Sequence, residues 1–207
     1  IIVATPHYHE AVFEAERVEE NYQELMYRAQ QYDVLIKMGY EVFVNPSNNS
    51  IMKNKKRLSL NKSGRVLIEF PFNAGPAYCL DSVKRLKLEN IASVIAHPER
   101  NRYFLNNFGG LITLIKAGCL IQVDTASIVG VYGKRVKDFS KELIRMNLVD
   151  VVASNAHYAS DYSAWYMRAY NYVIQWAGQE IASRLFYQNA RNILDGVEDN
   201  TFRNVIG

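Results

Sequence analysis

The sequence predicts an α/β domain on a parallel sheet, with a single β/α barrel the arrangement that fits best. Short apolar runs alternate with helical stretches along the whole chain, the rhythm of successive β/α units. Runs such as Ala92–Ala96 and Val149–Ala153 are apolar throughout rather than alternating, as strands are when both faces of a parallel sheet are covered. Histidines and a glutamate follow such runs directly, where barrel strands converge on one mouth.

Taken in order, Ile1–Ala4 is a β-rich run ending at Thr5-Pro6-His7. Phe13–Gln31 is helical, with Val18, Tyr22, Leu25, Met26 and Ala29 on one face and glutamates early. Val34–Ile36 and Glu41–Val44 are short strands around Gly39, and polar Asn45–Asn54 reads as an exposed loop or hairpin excursion. A turn at Asn61–Gly64 leads into a strand over Val66–Phe70, then a helix over Ala77–Glu89 and a strand over Ala92–Ala96. The helix Leu111–Ala117 ends at Gly118, suited to a left-handed cap. Strand Leu120–Val123, helix Val136–Met146 and strand Val149–Ala153 follow, then helices over Tyr162–Ala177 and Glu180–Tyr187 and a polar tail.

At 207 residues the chain forms one well-buried core, so residues 1–207 are read as a single domain. A net charge of +3 with the signs interspersed gives no nucleic-acid footprint. No apolar run approaches the roughly 20 residues of a membrane helix. Cys79 and Cys119 have neither CxxC spacing nor a disulfide framework, and read as buried free thiols of a reducing, cytoplasmic compartment. That argues against a cysteine-dependent reaction. Ile1 stands inside a strand, from which an N-terminal segment is expected to be missing. No GxGxxG or GxxxxGK[ST] occurs, so neither a dinucleotide site nor a P-loop is expected.

The four histidines carry the functional signal. His7 follows Ile-Ile-Val-Ala-Thr-Pro, His97 follows Ser-Val-Ile-Ala, and His157 follows Val-Val-Ala-Ser-Asn-Ala. Glu69 ends a strand within Leu-Ile-Glu-Phe-Pro-Phe, and Glu41 follows Gly39-Tyr40 at a similar point. Imidazole and carboxylate converging at a barrel mouth are suitable ligands for Mn, Fe or Zn. The apolar flanks of Glu69 favour burial, and a buried carboxylate needs a cation or proton partner. His9 lacks an apolar lead-in and reads as a solvated or rim residue. Arg100, three residues beyond His97, could clamp phosphate oxygens bidentately. A polynuclear metal site of this kind would hydrolyse a phosphoester through an activated water, with no covalent intermediate.

Four segments make the sequence recognisable: Ala4-Thr5-Pro6-His7, Leu67-Ile68-Glu69-Phe70, Ile95-Ala96-His97-Pro98-Glu99-Arg100 and Ala153-Ser154-Asn155-Ala156-His157. They resemble the polymerase-and-histidinol-phosphatase (PHP) superfamily, and within it the manganese-dependent bacterial protein-tyrosine phosphatases of capsule and exopolysaccharide operons. The resemblance implies a distorted (β/α)7 barrel, lacking its first β/α unit in this chain, with two to three Mn ions and Fe or Zn as alternatives. It places His7, Glu41, Glu69, His97 and His157 on metal positions and Arg100 on a phosphate-contacting arginine. The implied substrate is phosphotyrosine on the tail of a bacterial tyrosine kinase that regulates polysaccharide export, and a homo-oligomer is possible.

The sequence departs from that pattern in three places. The family's opening Asp-x-His-x-His is absent, Asn155 stands where the family has Asp, and Tyr162 stands where it carries a second arginine. A neutral amide is a weaker ligand than a carboxylate, and a phenol cannot neutralise a phosphate. Two readings follow, a working hydrolase or a weakened or inactive relative that binds the kinase tail. Histidinol-phosphate hydrolysis ranks below both.

Overall fold

The apolar runs become neighbouring parallel strands in the computed structural model, which describes residues 1–9, 14–44 and 54–197. Strands β2 (His7–Tyr8), β4 (Glu41–Phe43), β5 (Arg65–Glu69), β6 (Ala92–Ala96), β7 (Leu120–Asp124) and β8 (Val151–Ala153) form one six-stranded sheet. Every pairing in it is parallel, and the strands lie in sequence order. A separate parallel pair, β1 (Ile2–Ala4) with β3 (Ile36–Met38), leads into β2 and β4. The Gly39 amide donates to the Ala4 carbonyl (3.0 Å) and the Glu41 amide to the Pro6 carbonyl (3.1 Å), which carries the pairing across the break. Gly39 is required here, because a Cβ would lie 2.7 Å from Leu60 Cδ2 and 3.0 Å from Leu60 Cα.

Sequential order means every crossover runs in the same sense, so the intervening helices collect on one face of the sheet. Strand alternation divides the apolar residues accordingly. Val66, Ile68, Ile95, Ile121, Val123 and Val152 face the larger cluster, which includes Cys79, Val83 and Leu86 of the helix Pro76–Leu88. It also takes in Leu111 and Leu114 of Phe108–Lys116, Leu143 of Lys134–Arg145, and Ala169 and Val173 of Ala159–Ala177. On the opposite face Leu67, Val94, Ala96, Leu120 and Val151 form a smaller cluster closed by Leu60, Ile193 and Leu194. Both faces are covered, which is why these strands read as apolar throughout.

Several boundaries differ from expectation for physical reasons. The second strand begins at Ile36 rather than Val34. The last begins at Val151, because Asp150 turns its side chain back to accept the Ile121 amide at 2.7 Å. Thr125–Val129 forms a short helix that the sequence did not suggest. The residues after Tyr187 are no polar tail as far as Asp195. A π-helical turn over Arg184–Gln188 runs into the helix Asn189–Asp195, anchored where Asn189 Nδ2 donates to the Asp150 carbonyl at 2.7 Å. The loop or hairpin expected over Asn45–Asn54 lies, apart from Asn54, outside the described residues.

Both cysteines are buried and in no disulfide. Burial pushes the Cys79 thiol up to about 12, so it is inert as a nucleophile at neutral pH. No helix among the described residues is long and apolar enough to cross a membrane.

Candidate metal centre

Register decides which side chains meet. His7 pairs with Glu41 and Glu41 with Leu67, so the three share a face, and Glu69 two residues on shares it too. Ala96 pairs with Gln122, and Asp124 with Ala153, on the face of the smaller cluster that holds Leu67. His7 and Glu41, which open β2 and β4, and Glu69 and Asp124, which end β5 and β7, therefore share one face of the sheet. His97 joins them from the residue after β6, in left-handed backbone (φ 34°) immediately before Pro98, a conformation disfavoured for a non-glycine residue.

One ligand atom each from His7, Glu41 and Glu69 lie within 4.8 Å of one another. His97 Nε2 sits 2.9 Å from Glu41 Oε1, in hydrogen-bond range, and 3.6 Å from Glu69 Oε1. Burial alone would lower the His97 pKa, but the Asp124, Glu41 and Glu99 carboxylates outweigh it and push the imidazole up to about 9. Burial also acts to raise Glu41, yet the His97 hydrogen bond and the charges of His97, His7 and His157 leave it lowered. Glu69 is raised by burial, with His97 opposing. A proton on His97 thus holds together groups that are all metal-ligand types.

Beside this cluster Arg100 and Asn155 converge on Asp124. Arg100 lies in the tight turn Pro98–Arg100, and its Nη1 donates to Asp124 Oδ2 at 3.3 Å. Its guanidinium lies 5.0 Å from the centre of the Phe72 ring and 4.3 Å from that of Tyr132, both partly exposed. Asn155 Nδ2 donates to the same Asp124 oxygen at 3.0 Å. Glu99 is fully buried and its Oε1 accepts from the Asp124 amide (3.0 Å) and Ser127 Oγ (2.6 Å). Burial and the neighbouring Asp124 push the Glu99 carboxyl up to about 7, and burial likewise raises Asp124 against His97 and the Asn155 hydrogen bond.

His157 is exposed, its ring 5.3 Å from that of His7 and its Nδ1 3.0 Å from the Asn155 carbonyl. Tyr162 is half exposed and stacks on Tyr166 at 4.7 Å. His9 is not among the clustered ligands. It is half-buried and stacked on Phe43 at 5.2 Å. Asp124 and Glu99 were not singled out from sequence. Asp124 nevertheless carries the signal that picked out Glu69, a carboxylate ending an apolar strand.

The donor set fits divalent cations. Four carboxylates (Glu41, Glu69, Glu99 and Asp124) gather around His97 with Arg100 as their permanent cation, and Glu99 Oε2 and Asp124 Oδ1 are buried without a hydrogen-bond partner among the described residues. Imidazole and carboxylate are the ligand types that such ions take.

Residues 1–195 match the family model for capsular polysaccharide synthesis, CpsB/CapC. The chain belongs to that family. Among CpsB/CapC relatives, the tyrosine-protein phosphatase YwqE of Bacillus subtilis (strain 168) is 36% identical over 160 residues, which are 75% of this chain and 63% of YwqE. The matched region thus spans less than two thirds of YwqE. The tyrosine-protein phosphatase CpsB of Streptococcus pneumoniae is 28% identical over 202 residues, 93% of this chain and 83% of CpsB. A solved structure from work on YwqE and CpsB, described as unique metal-dependent tyrosine phosphatases, superposes with a TM-score of 0.83 at 32% identity. The superposition covers 94% of this chain and 80% of that one.

Proposed function

We propose that this CpsB/CapC chain is a metal-dependent phosphotyrosine phosphatase. The observation that carries the reading is the meeting of His7, Glu41 and Glu69 within 4.8 Å, with His97 bonded to Glu41. His7, Glu41, Glu69, His97 and His157 would hold two to three Mn ions, with Fe or Zn as alternatives, and Asn155 would add its carbonyl oxygen. Ions bound there would activate a water as nucleophile and neutralise the phosphoryl oxygens.

The chain's own groups account for the rest. Arg100, held by Asp124, grips non-bridging phosphate oxygens bidentately. The partly exposed rings of Phe72 and Tyr132 on either side of Arg100 offer an aryl phosphate a surface that an alkyl phosphate would use less well. The wider reading follows: a single PHP-type domain over residues 1–207, acting in the cytoplasm, and a distorted (β/α)7 barrel to which the six-stranded sheet and the β1–β3 pair would belong. Its partner would be a tyrosine kinase of polysaccharide export, met through the kinase's phosphotyrosine tail, and the phosphatase could act as a homo-oligomer.

The test is phosphate release from a phosphotyrosyl peptide by the purified chain, with Mn²⁺ and with EDTA. Release that requires Mn²⁺ and disappears in H97A supports the proposal. A chain that binds the peptide but releases no phosphate with Mn²⁺ overturns it in favour of a second reading, a non-catalytic binder of the kinase tail. The neutral amide of Asn155 and the phenol of Tyr162 favour that reading. Faster turnover of histidinol phosphate than of the peptide would move the substrate assignment instead.

A further inference from the structure

We propose that Asp124 is part of the metal centre, where it acts through Asn155 as the carboxylate that gives this corner its negative charge. The inference rests on the metal-centre reading above and adds a residue to it.

Asp124 ends β7 next to the last residue of β8, and its side chain is fully buried. Its Oδ2 accepts from Asn155 Nδ2 at 3.0 Å and from Arg100 Nη1 at 3.3 Å, while its Oδ1 has no hydrogen-bond partner among the described residues. Leaving a buried carboxylate oxygen unpaired is costly, so the negative charge of Asp124 calls for positive charge nearby, which Arg100 and a cation seated beyond Asn155 would supply. The same hydrogen bond fixes the Asn155 amide. With Nδ2 committed to Asp124, the carbonyl oxygen is turned away from it, and it is the only ligand atom the side chain has. Asn155 sits in left-handed backbone (φ 45°), which asparagine tolerates better than most residues.

Asp124 and Asn155 are therefore a matched pair. The amide provides the ligand atom, and the carboxylate behind it polarises that atom and carries the charge, one hydrogen bond further out than a directly ligating aspartate would. An aspartate at position 155 facing Asp124 would remove the donor and set two carboxylates against each other. The pair explains why a neutral residue stands at 155 without the site having lost its charge. Asp124 is a positioning residue in this account. It also holds Arg100, so its substitution is expected to alter both metal binding and phosphate capture.

Mn²⁺ affinity of the purified chain, measured by titration calorimetry, tests the pairing with four proteins: wild type, D124N, N155D and the exchange D124N/N155D. D124N should bind Mn²⁺ about 10- to 100-fold more weakly, the usual cost of losing a carboxylate behind a ligand. The exchange should recover affinity to within about threefold of wild type, because the two sites are coupled rather than additive. A merely structural role would lower the EDTA melting temperature of D124N and leave its Mn²⁺ affinity unchanged, and that outcome overturns the proposal. An exchange variant no better than D124N also overturns it. If D124N does not fold, the exchange variant against wild type decides by the same criterion. A wild-type chain that binds no Mn²⁺ removes the metal-centre reading itself, an outcome distinct from the others.

Discussion

If His97 ligates a metal as proposed, the ion must displace the proton on its ring, and that displacement has a definite size. With the imidazole pushed up to about 9, His97 is roughly nine-tenths or more protonated throughout pH 7 to 8. A metal ligated by its Nε2 takes the neutral ring, so each binding event there releases close to one proton. Raising the pH from 7 to 8 should therefore tighten Mn²⁺ binding about tenfold, or about 1.4 kcal/mol. Titration calorimetry at pH 7.5 in two buffers of different ionisation enthalpy counts the protons directly. Because Glu99 is pushed up to about 7 and titrates nearby, the comparison is best made in E99Q as well, which removes that titration while the Asp124 and Glu41 carboxylates still raise His97. H97Q should lose both affinity and the pH slope. A release near zero, with affinity unchanged from pH 7 to 8, would refute the argument that a proton on His97 occupies the place of the cation.

Other outcomes follow from the same geometry. In EDTA, His97 and Glu99 both have folded pKa values above the ordinary 6.5 and 4.5 of their side chains, so the native state binds more protons than the unfolded chain. Their contribution to stability is complete below those values and is lost as pH rises, through about 7 for Glu99 and about 9 for His97, so urea melts should show stability falling across that window. E99Q should flatten the lower part of that fall and be more stable than wild type in EDTA at pH 8. R100K keeps the charge but loses the planar fork gripped by Asp124, and kcat/KM for an aryl phosphate should drop by about 10²-fold or more with Mn²⁺ affinity little changed. G39A places a Cβ 2.7 Å from Leu60 Cδ2, and should cost about 1–3 kcal/mol in urea melts and weaken Mn²⁺ binding, since Glu41 lies two residues on.

What the sequence made legible follows from the nature of a parallel sheet. Strands covered on both faces read as apolar runs, so a polar residue just beyond one stands out, as His7, Glu69 and His97 do. Glu41 was picked out by its place after Gly39-Tyr40 and by the family resemblance, whereas the close passage of Gly39 over Leu60 shows only in the fold. Asp124 ends an apolar run as Glu69 does, but that run was read as a strand closing at Val123, and only the fold turns the next side chain inward between Arg100 and Asn155. The aromatic flanks of Arg100 could not be read either, because Phe72 and Tyr132 come from different loops. The helix Asn189–Asp195 was hidden for a related reason. Its polar composition suggests a tail, and only the tertiary fit of Ile193 and Leu194 into the smaller cluster gives it a buried face.

Anomalous difference density from Mn²⁺-soaked crystals tests the central claim most directly. The account predicts a manganese peak bounded by His7, Glu41, Glu69 and His97, with the His97–Glu41 hydrogen bond replaced by two metal–ligand bonds. Crystals that show the His97–Glu41 contact intact and no peak at these side chains, at Mn²⁺ concentrations that support phosphotyrosine hydrolysis, would contradict it.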